Sequence, residues 1–201
     1  MVYIKLKNRH KIYVQNKVTI ITPTHKRLTT LAEAIDSVKQ QTYANWEQII
    51  VSDGYDENVK TLIDSINDPR IIYHYTFPLH VMGNYQRNKA LQFMTGEFIL
   101  YLDDDNIIFE NCLATMVYSF TSNDIGYVIA PIFYGKEKNI MSPRYPFKFG
   151  EIDLLNYIVR RELVIKIGGQ GMHGCADLFL IQKIANISKG NYIDAIIGYH
   201  R

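Results

Sequence analysis

Three aspartates in succession, Asp103-Asp104-Asp105, directly follow an apolar run and are well suited to chemistry. Adjacent carboxylates repel one another, and a fold tolerates them mainly where a cation neutralises their charge. Oxygen ligands suit the hard cations Mg²⁺ and Mn²⁺, which bridge one or two carboxylates to the phosphates of a substrate. The alternative is a solvated acidic turn that caps the next helix. An EF-hand is excluded, because Ile108 stands where its glycine would be.

Two more polar clusters follow runs of β-branched residues. Residues 22–27 (Thr-Pro-Thr-His-Lys-Arg) come after the run at 18–21, and Ser52-Asp53-Gly54 comes after the run at 48–51. These runs are typical of buried strands, and polar residues end them. The sequence therefore has three places where a strand delivers polar side chains.

Strands and helices alternate through the first half of the chain. Strands are predicted at residues 18–21, 48–51, 71–75 and 98–102, with apolar residues at helical spacing between them. A Ser/Thr-x-x-Glu capping box from Thr30 to Glu33 is expected to open the first helix, and Gly96 to close the third. This alternation predicts an α/β fold: a mostly parallel, twisted sheet flanked by helices.

Ligands of such sheets bind outside the carboxyl ends of the strands. The three polar clusters are therefore expected to converge on one crevice, which favours a cation site over a solvated turn at the aspartates. The second half is less regular. Residues 135–150 are predicted to form a surface excursion, and a glycine-rich stretch at 168–174 precedes a helix that carries Leu178.

Length and composition exclude several classes. The 201 residues fit a single domain, and 47% hydrophobic with 21% charged residues excludes a disordered chain. A net charge of +2 argues against a nucleic-acid partner. No uncharged apolar stretch is long enough for a transmembrane segment, and residues 1–11 lack the apolar run of a signal peptide. Two cysteines, Cys112 and Cys175, have no metal-ligand spacing and are interpreted as reduced thiols of a cytoplasmic protein.

Five segments together resemble the family 2 glycosyltransferases with the GT-A fold. They agree in the family's order and spacing, and each corresponds to one of its strands, turns or helices: residues 18–27, 34–43, 49–54, 83–91 and 96–105. The resemblance covers about residues 18–110 and weakens towards residue 187. It implies one GT-A (Rossmann-like) domain over residues 1–201, with a nucleotide-sugar-binding half at 18–110 and an acceptor-binding half at 111–201.

The resemblance implies transfer of a hexose from a nucleotide diphosphate, a UDP-sugar favoured, to a saccharide or other hydroxyl acceptor with inversion. Asp103 and Asp105 match the outer positions of the family's Asp-x-Asp motif, so Mn²⁺ or Mg²⁺ is expected as cofactor, with Asp105 as a direct ligand. Asp103 would share the metal or lie nearer the ribose. The other nucleotide-sugar residues implied are Thr22, Pro23, Thr24, His25, Arg27, Asp53, Arg87 and Asp104, of which His25 either touches the nucleotide or faces water.

Inverting transfer needs a base to take the proton of the acceptor hydroxyl. In the family this is an aspartate that opens a helix after a Gly-Gly loop, and Asp177 matches it downstream of Gly168-Gly169. Ala176 stands where the family commonly has glutamate, and Asp177 could instead be a helix N-cap. His200 is the third expected metal ligand, with a merely solvated side chain as the alternative.

Two rival functions stay open at this point. A sugar nucleotidyltransferase usually begins with a glycine-rich phosphate loop, whereas no glycine precedes Gly54 in this chain. A non-catalytic or degenerate nucleotide-sugar-binding module would bind nucleotide without turnover, and the short chain keeps that alternative open. Ser52 stands in place of the first of the family's paired aspartates, which could loosen base selectivity.

Overall fold

The computed structural model describes residues 16–79, 83–171 and 174–201, so the N-terminal segment discussed above lies outside the described residues. The strands are β1 (Val18–Thr24), β2 (Trp46–Asp53), β3 (Ile71–Thr76), β4 (Phe98–Tyr101), β5 (Ile107–Ile108), β6 (Ile125–Ile129), β7 (Ile132–Tyr134), β8 (Asn139–Met141), β9 (Tyr157–Arg160), β10 (Lys189–Tyr192) and β11 (Gly198–His200). The helices are α1 (Leu28–Lys39), α2 (Glu57–Ile66), α3 (Asn84–Ala90), α4 (Cys112–Tyr118), α5 (Arg161–Ile167) and α6 (Ala176–Ala185), with a 3₁₀ turn at Leu154–Asn156.

A seven-stranded sheet in the order β10-β6-β9-β4-β1-β2-β3 forms the centre of the molecule. Strands β4, β1, β2 and β3 run parallel, as do β10 and β6. Among the strands described in this sheet, β9 alone runs antiparallel to its two neighbours. The predicted mostly parallel α/β sheet is therefore confirmed. A second sheet, in the order β5-β11-β7-β8, was not predicted, because its strands are only two or three residues long.

Alternate residues of the central strands pack on opposite faces of the sheet, and helices cover both faces. Ile20 and Ile50 join a core with the apolar faces of α1, α2 and α4. Ile21 and Ile49 join a second core with residues of α3, α5 and α6. Strand β1 is buried along its whole length, so the surrounding protein packs around its carboxyl end as well as its centre.

Two helix boundaries differ from the prediction. Helix α1 begins at Leu28 with Arg27 as its N-cap, so the Thr30–Glu33 box lies inside the first turns, where the Thr30 hydroxyl donates to the Arg27 carbonyl. Helix α3 ends at Ala90, six residues before Gly96. A Cβ at Gly96 would lie 2.6 Å from the Thr19 nitrogen, so this glycine permits close passage against β1 rather than a helix stop.

The C-terminal half departs further from expectation. Helix α5 was not predicted, and residues 135–150 are only partly a surface excursion. Within them β8 pairs with β7, and Phe147 is buried against Tyr127. Cys112 and Cys175 are free thiols. No helix in the described part of the chain combines the length and apolar character that crossing a bilayer requires.

Candidate active site

The carboxyl ends of β1, β2 and β4 open into one cleft of about 450 Å³. The three predicted polar clusters converge there, as expected for a parallel sheet. The cleft is lined by Pro23, Thr24, His25, Arg27, Asp53, Gly83, Gln86, Arg87, Asp103, Asp104, Asp105 and His200. Of the predicted site residues, Thr22 and Asp177 are absent from this lining.

Asp104 connects the acidic turn, residues 103–105, to the end of β1 and the loop after it through hydrogen bonds. Its Oδ2 accepts a hydrogen bond of 2.7 Å from the Thr24 hydroxyl, and its Oδ1 accepts one of 3.3 Å from the Arg27 guanidinium. The side chain is buried, and burial raises its pKa despite these two partners. Both oxygens of Asp104 are thus used within the protein, whereas Asp103 and Asp105 are more exposed on either side of it.

Two arginines face the outer aspartates. Arg27 Nη1 lies 2.6 Å from Asp105 Oδ2, and Arg87 Nη2 donates to Asp103 Oδ1. Arg87 is buried, and although burial alone would lower its pKa, the charge of Asp103 raises it. Gly83 precedes α3 with φ +76°, and a Cβ there would crowd Pro23 and the Arg87 guanidinium. A cationic group is therefore held against the floor of the cleft.

Asp53, at the end of β2, and His25 line another part of the cleft. Asp53 Oδ1 accepts a hydrogen bond of 2.8 Å from the Leu79 nitrogen, and His25 Nδ1 lies 3.3 Å from the Asp53 carbonyl oxygen. Gln86, which sequence reasoning missed, lines the cleft from α3 and donates to the Thr76 hydroxyl at 3.1 Å. Its place on the inner face of α3, one residue before Arg87, was the available signal.

Strand β11 brings His200 beside the acidic turn. This strand pairs with β5, which directly follows the aspartates, and with β7 on its other side. A Cβ at Gly198 would lie 2.6 Å from the Ile107 carbonyl oxygen, so only glycine allows the strands to approach this closely. A contact with Asp153, together with the charges of Asp103 and Asp105, raises the pKa of His200.

Asp153 is a largely buried carboxylate beside His200 that the sequence did not reveal. Its Oδ2 lies 3.1 Å from His200 Nδ1, within hydrogen-bond distance, although the angle at the ring nitrogen is not yet that of a good hydrogen bond. Its Oδ1 accepts from the Leu155 nitrogen at 2.8 Å. Burial alone would raise its pKa, but the His200 contact and the Leu155 amide together lower it.

Asp177 lies in the first turn of α6 and does not line the cleft. The N-cap of this helix is Cys175, so Asp177 is not the cap. Its Oδ1 accepts from the Leu178 nitrogen at 2.8 Å, and its carbonyl accepts from the Tyr157 hydroxyl at 3.2 Å. Burial, and then the charge of Asp153, raise its pKa. These effects favour the protonated carboxyl, as suits a group that accepts a proton.

Thr22 is the predicted nucleotide residue whose side chain does not line the cleft. It is fully buried in β1, where its hydroxyl accepts a hydrogen bond of 3.0 Å from Gln48 Nε2. Thr22 and Thr24 share one face of β1, but Thr22 lies two residues further from the carboxyl end of the strand, where the Gln48 side chain covers it.

The outer aspartates are suited to a divalent cation. Each has one oxygen paired with an arginine, and no hydrogen bond among the described residues uses its other oxygen. No three His, Cys, Asp or Glu side chains of the described residues lie close enough to form a ligand set by themselves. Such a pair of carboxylates fits a cation that completes its coordination with substrate phosphates and water.

Known proteins resemble this chain in sequence. The profile described as glycosyl transferase family 2 matches residues 19–186. The "UDP-Glc:alpha-D-GlcNAc-diphosphoundecaprenol beta-1,3-glucosyltransferase WfgD" of Escherichia coli is 32% identical over 112 residues, which are 55% of this chain and 44% of that protein. The "GalNAc(5)-diNAcBac-PP-undecaprenol beta-1,3-glucosyltransferase" of Campylobacter jejuni is 27% identical over 126 residues, 62% of this chain and 40% of that protein. The chain spans less than half the length of these two relatives.

Solved structures share the fold. S. aureus TarS in complex with UDP superposes with a TM-score of 0.78 at 16% identity, over 91% of this chain and 60% of that one. The mannosyltransferase PcManGT of Pyrobaculum calidifontis, in complex with GDP-Man and Mn²⁺, gives a TM-score of 0.72 at 20% identity, over 92% and 56%. At these identities the likeness is one of fold, and it places this sheet among GT-A structures.

Proposed function

The chain belongs to glycosyl transferase family 2, and from this premise we propose that it transfers a hexose from a UDP-sugar to an acceptor hydroxyl with inversion. The observation that carries the proposal is the convergence of two arginines and two accessible carboxylates, Asp103 and Asp105, on one cleft at the strand ends. This charge pattern suits a metal-bound diphosphate. Residues 18–110 would bind the nucleotide sugar, and residues 111–201 the acceptor.

Mn²⁺ or Mg²⁺ held by Asp105 and Asp103, with His200 beside them, would neutralise negative charge on the diphosphate. The fold neighbour described with GDP-Man and Mn²⁺ supports a divalent cation. Arg87 and Arg27 would stabilise the charge that grows on the leaving diphosphate as the glycosidic bond breaks. Asp53 and His25 would hold the base, and Gln86, fixed by its hydrogen bond to Thr76, also lines the cleft.

The transfer is a single displacement. The acceptor oxygen bonds to the anomeric carbon while the bond from that carbon to the diphosphate oxygen breaks, and the electron pair leaves on the diphosphate. The proton of the acceptor hydroxyl passes to the Asp177 carboxylate. Burial raises the pKa of Asp177, which makes it a stronger base than an exposed aspartate. One displacement inverts the anomeric centre.

Two relatives carry names with undecaprenyl diphosphate-linked saccharides as acceptors and glucose as the transferred sugar. We therefore take a saccharide hydroxyl on a polyprenyl diphosphate as the first acceptor class to test, with UDP-glucose as the first donor. UDP-N-acetylglucosamine is the second donor, because a fold neighbour binds it.

Thermal unfolding with UDP, GDP, CDP and ADP, each with and without Mn²⁺, tests the donor site. A ligand at 100 times its Kd stabilises by about 2.7 kcal/mol, which raises the Tm of a chain of this size by about 5–10 °C. A Mn²⁺-dependent shift with UDP supports the proposal, and a shift with GDP alone moves the donor to GDP-sugars. No metal-dependent shift with any nucleotide overturns it. Release of UDP from UDP-glucose that requires the acceptor then separates an enzyme from a binding module.

A further inference from the structure

We propose that Asp153 is a positioning residue that fixes the imidazole of His200 so that its Nε2 atom faces the cleft. The inference rests on the proposed use of a divalent cation. Asp153 lies outside the five segments that resemble the family, and it does not line the cleft. Its role follows from the contacts of its two carboxylate oxygens, Oδ1 with the Leu155 nitrogen and Oδ2 with the His200 ring.

The Asp153 carboxylate is held rigidly by the backbone around it. Oδ1 accepts from the Leu155 nitrogen at 2.8 Å, and the Asn156 side chain accepts from the Asp153 nitrogen at 2.9 Å, which forms a reciprocal capping box on the 3₁₀ turn. Asn156 is itself fully buried and donates to the Ala130 carbonyl at 2.9 Å. With Oδ1 engaged in this way, Oδ2 is the oxygen that faces His200, at 3.1 Å from Nδ1.

His200 is held equally firmly from its backbone. Its carbonyl accepts from the Gly135 nitrogen at 2.9 Å, and the next residue, Arg201, forms an ion pair with Glu33 of α1. The Nδ1 atom is shielded from solvent. A buried N–H without an acceptor is costly, so a small rotation of the ring towards Asp153 Oδ2 is favoured.

The chemical consequence is a choice of tautomer. A carboxylate accepts hydrogen bonds and cannot donate them, so Asp153 selects the neutral ring with its proton on Nδ1. The lone pair is then on Nε2, the nitrogen left to face the cleft, where Asp103 and Asp105 stand. Ligating histidines commonly have this carboxylate behind them, and removal of such a partner costs 10–100-fold in metal affinity.

The first test reads the tautomer directly and needs no metal. Nitrogen NMR of the His200 ring, at a pH high enough for the ring to be neutral, should show the proton on Nδ1 in the unmodified chain. Asp153→Asn keeps an oxygen for the Leu155 nitrogen and turns an amide donor towards Nδ1, so the proton should move to Nε2. A proton on Nε2 in the unmodified chain, or no change in the variant, overturns the inference.

The second test measures Mn²⁺ affinity by calorimetry in the presence of saturating UDP. Asp153→Asn should weaken it 10–100-fold, as should His200→Ala, and the double variant should be no weaker than His200→Ala alone. Asp194→Asn is the matched control, since Asp194 pairs with Arg144 on the surface. Unchanged affinity in a folded Asp153→Asn overturns the inference. If the unmodified chain binds neither UDP nor Mn²⁺, the proposed function fails, while the tautomer measurement still decides the role of Asp153.

Discussion

The two halves of the chain contribute to the cleft by different means. In residues 18–110 most cleft residues lie at or just after the ends of parallel strands, and others lie at the start of α3. Charges are paired across neighbouring strand ends, as Arg27 is with Asp105. In residues 111–201 the charged residues stand on separate elements that meet only through the tertiary fold. His200 on β11 reaches Asp153 before the 3₁₀ turn, and Asp177 stands on α6.

The difference concerns burial as well as topology. The outer aspartates of the first half retain one oxygen each for a ligand. Asp153 has one oxygen bonded to the Leu155 nitrogen and the other against His200, and Asp177 is partly buried. In a parallel sheet the chain connections alone bring ligand-binding residues together at the carboxyl ends of the strands. A proton-transfer group instead needs a buried environment that shifts its pKa, and in this chain distant segments form that environment. Nucleotide binding should therefore depend mainly on the first half, with His200 of the second half adding to the metal site, and transfer should depend on the second half.

Asp177→Asn should cause the largest loss and separate the halves most sharply. The variant keeps the oxygen that accepts from the Leu178 nitrogen, so the start of α6 is retained, but an amide cannot take a proton. Turnover should fall by about 10²–10⁴-fold while the Kd for UDP with Mn²⁺ stays unchanged. The measurement is UDP release under saturating donor. Asp64→Asn on the exposed face of α2 is the control, and a turnover equal to that control would contradict the base assignment.

Asp105→Ala should produce the converse result. It removes an accessible carboxylate and the partner of Arg27, so the Kd for UDP in the presence of Mn²⁺ should rise on the order of 100-fold, about 2.8 kcal/mol. The Kd measured without metal should change far less. Asp36→Ala, an exposed aspartate of α1, is the control. Equal loss with and without Mn²⁺ would show that Asp105 acts on the nucleotide through Arg27 and not through a metal.

The sequence predicted the first half well because its signals are local. Each strand end is marked by polar residues immediately after an apolar run, so Asp53, Asp103 and Asp105 follow from periodicity and connectivity. Thr22 was misplaced because it shares a face of β1 with Thr24 but lies two residues before it, short of the cleft. The prediction that Thr30 opens the first helix was wrong, because the N-cap is Arg27, three residues earlier.

The second half could not be predicted to the same depth, because its pairings are distant in sequence. Strand β11 is three residues long and is defined by its partners β5 and β7. In the sequence Asp153 looks like an ordinary loop residue, and its contact with His200 exists only in the folded chain. Pairing between segments this far apart produces no periodic pattern in the sequence. Gly198 is the one local signal, because a glycine allows β11 to approach β5 closely.

Glu47→Gln tests whether stability and binding can be separated within the first half. Glu47 is buried at the end of the sheet away from the cleft, where Oε1 accepts from the Thr19 hydroxyl at 2.7 Å and Oε2 from Lys17 Nζ at 2.5 Å. The glutamine side chain has an NH₂ group in place of one carboxylate oxygen, and this group cannot accept a hydrogen bond from the donors that face it. The free energy of unfolding should therefore fall by about 1–3 kcal/mol, or roughly 3–10 °C in Tm. The Kd for UDP should not change.

The pH dependence of this effect has a definite sign. Burial alone would raise the pKa of Glu47, but Lys17, Thr19 and Thr95 lower it from 4.5 to about 2. The carboxylate therefore stabilises the fold fully above pH 4.5, and this contribution is lost as pH falls towards about 2. The Tm difference between Glu47→Gln and the unmodified chain should shrink over that window. Exposed Glu110→Gln is the control, and a difference that grows on acidification would contradict the assignment.

Gly169→Ala addresses the contact that joins the two halves and should have the smallest effect. Asn88 of α3 donates to the Gln170 carbonyl and accepts from the Gln170 nitrogen, both at 2.9 Å, one residue along α3 from Arg87. Gly169 has φ +79°, and a Cβ there would lie 2.5 Å from Asn88 Oδ1. The substitution should therefore strain the backbone and push the pair apart, at a cost of about 1 kcal/mol or 2–4 °C in Tm.

Gly171→Ala is the matched control, because no atom of the described residues lies within 4 Å of a Cβ at that position. Only Gly169→Ala should weaken UDP binding, by a few fold, because displacement of Asn88 moves the helix that carries Arg87. Thermal unfolding and UDP titration of the two variants, made side by side, measure this. Equal behaviour would mean that the halves are joined through the sheet alone. A loss of binding confined to Gly169→Ala would mean that the glycine loop of the second half also positions the arginine of the first.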